Sequence, residues 1–226
     1  MVSPVPRVSV PDHVFAQLRE AILLGRYRPG ERLPPQRALA AEMEVNMASV
    51  REALKRLEQL RLVEVRHGDG TQVLDWRRSG GLEALVLGGG IEEPFARDLF
   101  EARRLLLVEA ARLAALRRSE QQARSLRDLA QALAAAGEDG ARLAADWAFM
   151  AGLVEAAGNL VFQLIMNSVR ELYLERPQAF AALVAKEGAP AELYSIAAGA
   201  VEAQDPDAAA EAIDALARAQ TGAVLR

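Results

Sequence analysis

The chain has 226 residues, enough for two small domains, and its 51% hydrophobic content and net charge of −4 are typical of a globular protein. It contains no cysteine, which excludes disulfides, thiol catalysis and thiolate metal sites and agrees with a reducing cytoplasm. No apolar run reaches the roughly 18 residues that a membrane helix needs, so we expect a cytoplasmic protein without a membrane segment.

The first predicted element is an amphipathic helix over residues 12–24. Its apolar residues recur every four positions on one face: Val14, Leu18 and Ile22. Asp12 is the expected N-cap of this helix, and Gly25 is expected to end it.

Residues 33–60 are typical of two short helices joined by a tight turn. Pro34 and Pro35 suit a helix start, because proline lacks the amide hydrogen that the first turn leaves unpaired. Asn46 suits the N-cap of the second helix. The apolar stripe of that helix has spacings of four, three and three: Val50, Leu54, Leu57 and Leu60. Polar residues off the stripe are expected to face outward: Ser49, Arg51, Glu52, Lys55 and Arg56. Such a pair of helices can place the second one in the major groove of DNA, although an ordinary helical hairpin with a charged surface has the same pattern.

Residues 62–74 predict a β-hairpin directly after these helices. Both flanks alternate apolar with polar residues, LVEVR at 62–66 and TQVL at 71–74, and the Asp69-Gly70 pair between them is a strong hairpin signal. A helix-turn-helix followed by a hairpin is a winged helix. Its tip, with Arg66 and His67, can reach the DNA backbone or the minor groove.

The charge of this first part is nearly balanced. Residues 1–76 hold 11 Lys and Arg against 10 Asp and Glu, and the remaining residues have a net charge of −5. A protein that coats nucleic acid without sequence preference would be far more basic. Any positive field must therefore be local, built by Arg37, Arg51, Lys55, Arg56 and Arg66.

Residues 12–75 resemble the winged-helix domain of the GntR family of bacterial transcription regulators. The matching words are GRYRPGERLP at 25–34, Arg37, Leu39-Ala40, SVREAL at 49–54, Leu57 and RHGDGT at 66–71. The resemblance implies that Arg37, Ser49 and Arg51 contact phosphates or base edges. The full expected DNA-binding set is Arg37, Asn46, Met47, Ala48, Ser49, Arg51, Lys55, Arg66, His67 and Gly68. Asn46-Met47 replaces the Ser/Thr-Arg pair that usually opens the recognition helix. Met47 cannot pair with a phosphate or a guanine, which implies a weaker affinity or a different operator.

From residue 82 onward no stretch predicts a strand. Helices are expected at 82–87, 92–118, 120–136, 140–157, 160–175, 177–186, 189–204 and 206–224. We therefore predict a mainly α protein with an N-terminal winged helix-turn-helix, a small β-hairpin wing and a C-terminal all-α antiparallel bundle of six or seven helices. The predicted domains are residues 1–76 and 82–226, joined by a charged, glycine-bearing linker at 77–81.

Residues 80–224 resemble the FCD domain, the effector-binding helical domain of the FadR branch of GntR regulators. The matching words are EARR at 101–104, DWAFM at 146–150 and AAGN at 156–159. Many FCD domains bind a divalent metal through one aspartate and three histidines, and the corresponding residues here are Asp146, Met150, Tyr194 and Leu216. The two histidines of the chain, His13 and His67, lie in the other half. A carboxylate with a thioether, a phenol and an aliphatic side chain is not a zinc or nickel site, so we expect no metal.

The chain further resembles the metal-free FadR variety, which responds to fatty acids. The shared words are DWRRSGGL at 75–82, GN at 158–159, LIMN at 164–167 and LY at 172–173. This resemblance implies an effector pocket for a fatty acyl chain or acyl-CoA. Its expected apolar walls are Phe149, Met150, Phe162, Met166, Tyr173, Tyr194 and Leu216, and its expected polar anchors are Arg103, Asp146 and Asn167. Two alternatives stay open: the effector is a small organic acid, or these residues are ordinary core and Arg103 and Asp146 form a structural ion pair.

We expect a homodimer, because near-palindromic operators are bound by two-fold symmetric proteins. We expect neither an enzyme nor a resident cofactor. The chain has no Gly-rich phosphate loop, and Ser168 or Ser195 as a nucleophile would lack an imidazole base nearby. A helical adaptor whose winged domain binds protein is the remaining rival.

Overall fold

The structure is a computed structural model that describes residues 9–66, 68–81, 93–137, 139–175 and 190–224. The chain divides into two units, Met1–Gly90 and Ile91–Arg226. The helices expected at 82–87 and 177–186 lie outside the described residues. The linker at 77–81 borders such a segment, and the proposed domain limits stay a prediction.

The first unit is the predicted winged helix-turn-helix. Its elements are α1 (Val10–Leu23), α2 (Gln36–Glu42), α3 (Met47–Gln59), β1 (Val63–Arg66), β2 (Gly70–Val73) and the short α4 (Trp76–Ser79). Helices α1 and α2 both pack against α3. The apolar stripes found in the sequence meet in one core, whose fully enclosed members include Val14, Ile22, Leu39, Val50, Leu54, Leu57 and Leu62.

Helix α1 begins earlier than the sequence analysis predicted. Its N-cap is Ser9, whose hydroxyl accepts the backbone N–H of Asp12 at 3.3 Å, while the Asp12 carboxylate accepts the backbone N–H of Ser9 at 3.3 Å. The prediction of Asp12 as the N-cap is therefore wrong, since Ser9 is the N-cap and Asp12 is the third helical residue, N3, whose side chain completes a capping box. Pro11 does not stop the helix, because the first turn has no use for its missing amide hydrogen.

The wing is a two-stranded antiparallel hairpin. Val63 pairs with Val73, and Arg66 pairs with Gly70 at the tip. Gly68 and Gly70 have φ values of 80° and 91°, which a glycine adopts without a Cβ penalty. The segment before α2 pairs with the outer side of β2, since Leu33 N–H donates to Thr71 O at 2.9 Å and Val73 N–H donates to Glu31 O at 2.8 Å. Strand β2 is thus bonded on both sides.

The second unit is a helical bundle, as predicted. Its elements are α5 (Glu93–Arg117), α6 (Glu120–Ala135), α7 (Asp139–Ala156), α8 (Leu160–Glu175), α9 (Ala191–Glu202) and α10 (Pro206–Val224). Helix α5 packs against α7, α9 and α10, while α6 packs against α7 and α9, and α8 packs against α7. Many of the buried contacts are made by alanines, which let the helices approach closely: Ala110, Ala111, Ala114, Ala157, Ala197 and Ala209. Among the described helices, none is long and apolar enough to cross a membrane.

Candidate nucleic-acid interface and effector site

The start of α3 is fixed by the side chain of Asn46. Its Oδ1 accepts the backbone N–H of Ser49 at 2.8 Å and the hydroxyl of Ser49 at 3.1 Å. This pairs one of the amide groups that the first helical turn leaves free. The predicted N-cap is confirmed, and the bonds set the position at which the exposed face of the helix begins.

That exposed face has a polar part and an apolar part. Met47, Arg51 and Lys55 follow one another at intervals of four residues and are all exposed, as is Ala48 beside them. Residues four apart lie on the same side of a helix, so these side chains form one surface. The Arg51 Nε donates to Met47 O at 3.4 Å, which keeps the guanidinium close to the start of the helix. Neither Arg51 nor Lys55 forms an ion pair with any of the described residues.

Ser49 lies on the other side of α3. Only 5% of it is exposed, and its hydroxyl is engaged by Asn46. In this structure Ser49 therefore stabilises the helix start and is not part of the exposed surface that the resemblance suggested for it.

Arg56 was predicted to face outward, but it contacts α1. Its Nη1 donates to Asp12 Oδ1 at 2.6 Å, and its guanidinium lies 4.1 Å from the centre of the Phe15 ring. The hydrogen bond from Ser9 and the pairing with Arg56 hold the pKa of Asp12 below its usual value. Arg56 thus ties α3 to α1, and its charge is balanced within the unit, so it adds little to a positive field outside.

The other predicted DNA contacts lie on α2 and on the wing. Arg37 and Gly68 are exposed, and Arg37 has no ion pair with the described residues. Arg66 is exposed too, but it pairs with Glu64 of the same strand at 2.8 Å. His67 lies outside the described residues. The wing is fastened to the recognition helix, because Val65 N–H donates to Glu58 Oε1 at 3.0 Å, so α3 and the hairpin form one connected surface.

Four side chains from four helices meet inside the second unit: Arg103 of α5, Asp146 of α7, Tyr194 of α9 and Gln220 of α10. We call them the polar cluster. Asp146 Oδ1 accepts the Tyr194 hydroxyl at 2.5 Å and the Gln220 Nε2 at 2.9 Å. Gln220 in turn accepts the Arg103 Nη1 at 2.8 Å. Asp146, Tyr194 and Gln220 are fully buried, whereas Arg103 keeps 16% of its side chain exposed.

One donor of the polar cluster has no acceptor within hydrogen-bonding distance. The Arg103 Nη2 is buried and lies 3.7 Å from Asp146 Oδ2, with no hydrogen-bond partner among the described residues. A buried N–H without a partner costs free energy, about 1–3 kcal/mol and more for a charged group. This donor could therefore be satisfied by an oxygen from a bound molecule.

The predicted apolar walls fall into two groups. Phe149, Met150 and Leu216 are buried in the same core as Tyr194, and the Phe149 ring meets the Tyr194 ring edge-on at 5.2 Å. Met166 belongs to the same core, at its edge, and together with the exposed Asn167 it also lines an open groove between α7 and α8. The other residues of this groove include Trp147, Ala151, Gln163 and Arg170. Phe162 is partly buried against the core, and the side chain of Tyr173 lies outside the described residues.

The residues at the positions of the family's metal ligands do not fit a metal ion. Asp146 Oδ1 is already the acceptor for Tyr194 and Gln220, and the guanidinium of Arg103 stands beside the other oxygen. The described residues contain no group of three or more His, Cys, Asp or Glu side chains placed to hold a metal. Met150 and Leu216 offer only a thioether and a hydrocarbon, which are not ligands for a hard or borderline dication.

Gln220 was not predicted from the sequence, although it links Arg103 to Asp146. A glutamine carries no special signal, because most glutamines are exposed. The available clue was its position four residues after Leu216, on the same face of α10 as a residue already assigned to the site.

Comparison with known proteins assigns both units. Residues 11–73 match the family described as bacterial regulatory proteins, gntR family, and residues 98–219 match the FCD domain. The HTH-type transcriptional regulator Mce2R of Mycobacterium tuberculosis is 38% identical over 176 residues, which cover 76% of this chain and 73% of that protein. The fatty acid metabolism regulator protein of Pectobacterium carotovorum is 27% identical over 158 residues, covering 69% and 65% of the two chains. Among solved structures, Listeria monocytogenes Lar, which controls the expression of the agr system, has the same fold with a TM-score of 0.65 at 16% identity, covering 97% and 98% of the chains.

Proposed function

The chain belongs to the gntR family of bacterial regulatory proteins and is a DNA-binding transcriptional regulator, not an enzyme; we propose that α3 enters the major groove of an operator and that a small anionic molecule in the helical unit controls this binding. The observation that carries the first part is the connected surface of α3 and the wing. The observation that carries the second is the unsatisfied donor of Arg103.

At the DNA, we assign base contacts to the start of α3 and phosphate contacts to its flanks. Met47, Ala48 and Arg51 lie at the end of the helix that meets base edges in helix-turn-helix proteins. Lys55 lies one turn further along, while Arg37 on α2 and Arg66 on the wing supply positive charge on either side. Asn46 and Ser49 act indirectly by fixing the helix start, and Gly68 and His67 belong to the wing tip.

Variants of the charged surface test the interface. Lys55→Ala should weaken binding to all duplexes alike. It should also reduce the slope of log affinity against log salt concentration by about 1, which corresponds to the release of about one counterion fewer. Arg51→Ala should cost more on the selected operator than on random DNA, by about 1–3 kcal/mol if it contacts a base. Arg124→Ala removes the same charge from an exposed position on α6 and serves as the matched control.

The adaptor alternative has a distinct outcome. If the protein binds a selected duplex no more tightly than a random one of equal length, and Arg51→Ala and Arg124→Ala behave alike, the surface of α3 does not recognise sequence. A protein partner would then be the better explanation of the exposed face. Fluorescence anisotropy with labelled duplexes at several salt concentrations measures both quantities.

In the helical unit, we propose an effector with an anionic end and an apolar part. A carboxylate can accept the buried Arg103 N–H, and the surrounding Phe149, Met150 and Leu216 suit a hydrocarbon. A fatty acyl chain fits this description, and the relative named as a fatty acid metabolism regulator supports it. A small organic acid is the second candidate, because the walls around the polar cluster are already closely packed and a short ligand displaces less of them.

A titration of the protein–operator complex separates the candidates. We expect release, or tightening, with palmitate or palmitoyl-CoA if the effector is an acyl chain, and with short hydroxy- or keto-acids if it is a small acid. Arg103→Gln should abolish the response, and its operator binding without effector is measured alongside to separate loss of the anchor from a change in the bundle. Arg124→Gln is the control, and a response that survives in Arg103→Gln would contradict the assigned anchor.

We propose further that the regulator works as a homodimer on a near-palindromic operator in the cytoplasm, where bacterial operators lie. Sedimentation of the full chain, alone and with a duplex that carries two half-sites, tests this. Two chains per duplex are expected, and one chain per duplex would contradict the proposal.

A further inference from the structure

The recognition helix presents an apolar side chain where a regulator usually presents a donor. Met47 is the first residue of α3, and 40% of it is exposed. Ala48 beside it is exposed as well. The first turn therefore offers two hydrocarbon side chains next to the charged Arg51.

Packing does not account for Met47. The core of the winged unit contacts α3 through Val50, Leu54 and Leu57, which are at most 2% exposed, whereas Met47 is neither a member of that core nor packed against it. The helix start is held by Asn46 and Ser49 and needs nothing from the side chain of Met47. The hydrogen bond from Arg51 goes to the backbone carbonyl of Met47, so it too is independent of that side chain.

The chemistry of the major groove limits what Met47 can contact. A thioether has no donor, so it cannot pair with the acceptors of guanine or with a phosphate. The one apolar group that base edges present in this groove is the C5-methyl of thymine. We infer that Met47 contacts the C5-methyl of one thymine in each operator half-site and makes that base pair a specificity position. This inference rests on the proposed docking of α3 in the major groove.

Replacement of thymine by deoxyuridine tests the contact, because it removes only the methyl group. An operator is first selected from a random duplex pool with the full-length protein, and each thymine is then replaced singly. The wild-type protein should lose about fourfold in affinity at one thymine of a half-site, the value expected for one buried methyl. Met47→Ala should bind the thymine and uracil duplexes equally well.

Two further variants complete the comparison. Met47→Leu keeps a hydrocarbon at the site and should retain the discrimination against uracil. Leu24→Ala shortens another exposed apolar side chain of the same unit, 47% exposed and outside α3, and should discriminate as the wild type does. Circular dichroism melts of the four proteins check that each is folded.

The outcomes separate the inference from the function on which it rests. If the wild type binds its selected operator specifically but no uracil substitution affects it more than it affects Met47→Ala, the methyl contact is wrong and the interface stands. If the wild type prefers no duplex over random DNA, the proposed interface itself fails, and the inference fails with it. A fourfold loss that disappears in Met47→Ala and persists in Met47→Leu supports both.

Discussion

Removal of the Asp146 carboxylate tests the polar cluster at its centre. Asp146→Ala removes the oxygen that accepts the Tyr194 hydroxyl and one of the two acceptors of Gln220 Nε2, which also donates to the Tyr194 oxygen at 3.0 Å. It also leaves Arg103 without its counter-ion. Two hydrogen bonds to a charged acceptor contribute about 2 kcal/mol each, so we expect a loss of about 4 kcal/mol in the free energy of unfolding. This agrees with the ~3–5 kcal/mol typical of breaking a buried ionic group away from its partner.

Asp146→Asn separates the charge from the hydrogen bonds. The amide oxygen can still accept from Tyr194 and Gln220, but as a neutral acceptor, and the amide NH₂ then faces the Arg103 guanidinium. We expect a loss of about 2 kcal/mol, between those of the wild type and the alanine variant. Asp128→Ala, at an exposed position on α6, should change stability by less than about 0.5 kcal/mol and is the matched control.

The fluorescence of Trp147, the neighbour of Asp146 in α7, reports unfolding of the bundle. The other tryptophan, Trp76, packs against the core of the winged unit and is replaced by phenylalanine in all proteins compared. Urea titration then gives the free energy of unfolding of the bundle alone. A loss below about 1 kcal/mol for Asp146→Ala would refute the reasoning, because it would mean that the three partners find other acceptors or water.

Three further predictions concern the helix cap at Asn46, the loss of stability at low pH through Asp214, and the effect of added metal ions. Asn46→Ala should destabilise the winged unit by about 1–2 kcal/mol, because it removes a helix cap and leaves the buried Ser49 hydroxyl without its acceptor. Asn46→Asp keeps an acceptor at this position and should be nearly neutral. Trp76 fluorescence in a Trp147→Phe background measures the stability of both variants. Burial raises the pKa of Asp214, but hydrogen bonds from Arg104 and Arg218 outweigh it and leave that pKa below its usual value. A carboxylate whose pKa is lowered by folding stabilises the fold above its unfolded value, near 3.8, and this contribution is lost as the pH falls through the lowered pKa. Asp214→Asn should therefore be less stable than the wild type at neutral pH, and the difference should vanish in acid; a difference independent of pH would contradict the ion-pair explanation. Zn²⁺ or Ni²⁺ should leave the melting temperature of the bundle unchanged, because the polar cluster has no free ligand set, and a stoichiometric, stabilising metal would overturn that statement.

Local patterns predicted most of the winged unit. The cap at Asn46, the stripe from Val50 to Leu57 and the Asp-Gly hairpin each depend on a few neighbouring residues, and each was found where expected. The wrong predictions of exposure on α3 concern residues at the border of its exposed face. Ser49 and Arg56 lie where the exposed arc of α3 meets the buried one, and periodicity alone does not say how far α1 covers that border.

The polar cluster was predictable only in part, because it is assembled from distant parts of the chain. The resemblance to the FCD domain implied Arg103, Asp146 and Tyr194 as site residues, but the bond between Gln220 and Asp146 spans 74 residues. Which polar side chains of four helices meet is decided by the rotation and offset of those helices. Spacing within a single helix carries no information about either quantity.

The composition of the polar cluster also limits how a ligand could act on the bundle. Arg103 and Asp146 balance each other, so an incoming carboxylate adds a negative charge to a buried site unless it takes the place of Asp146 beside the guanidinium. An effector that pairs with Arg103 therefore competes with Asp146. A displacement of the Asp146 carboxylate would change the hydrogen bonds that it accepts from Tyr194 and Gln220. Because the four residues belong to α5, α7, α9 and α10, a ligand that displaced Asp146 would act on four helices at once, which is what the proposed control of DNA binding requires.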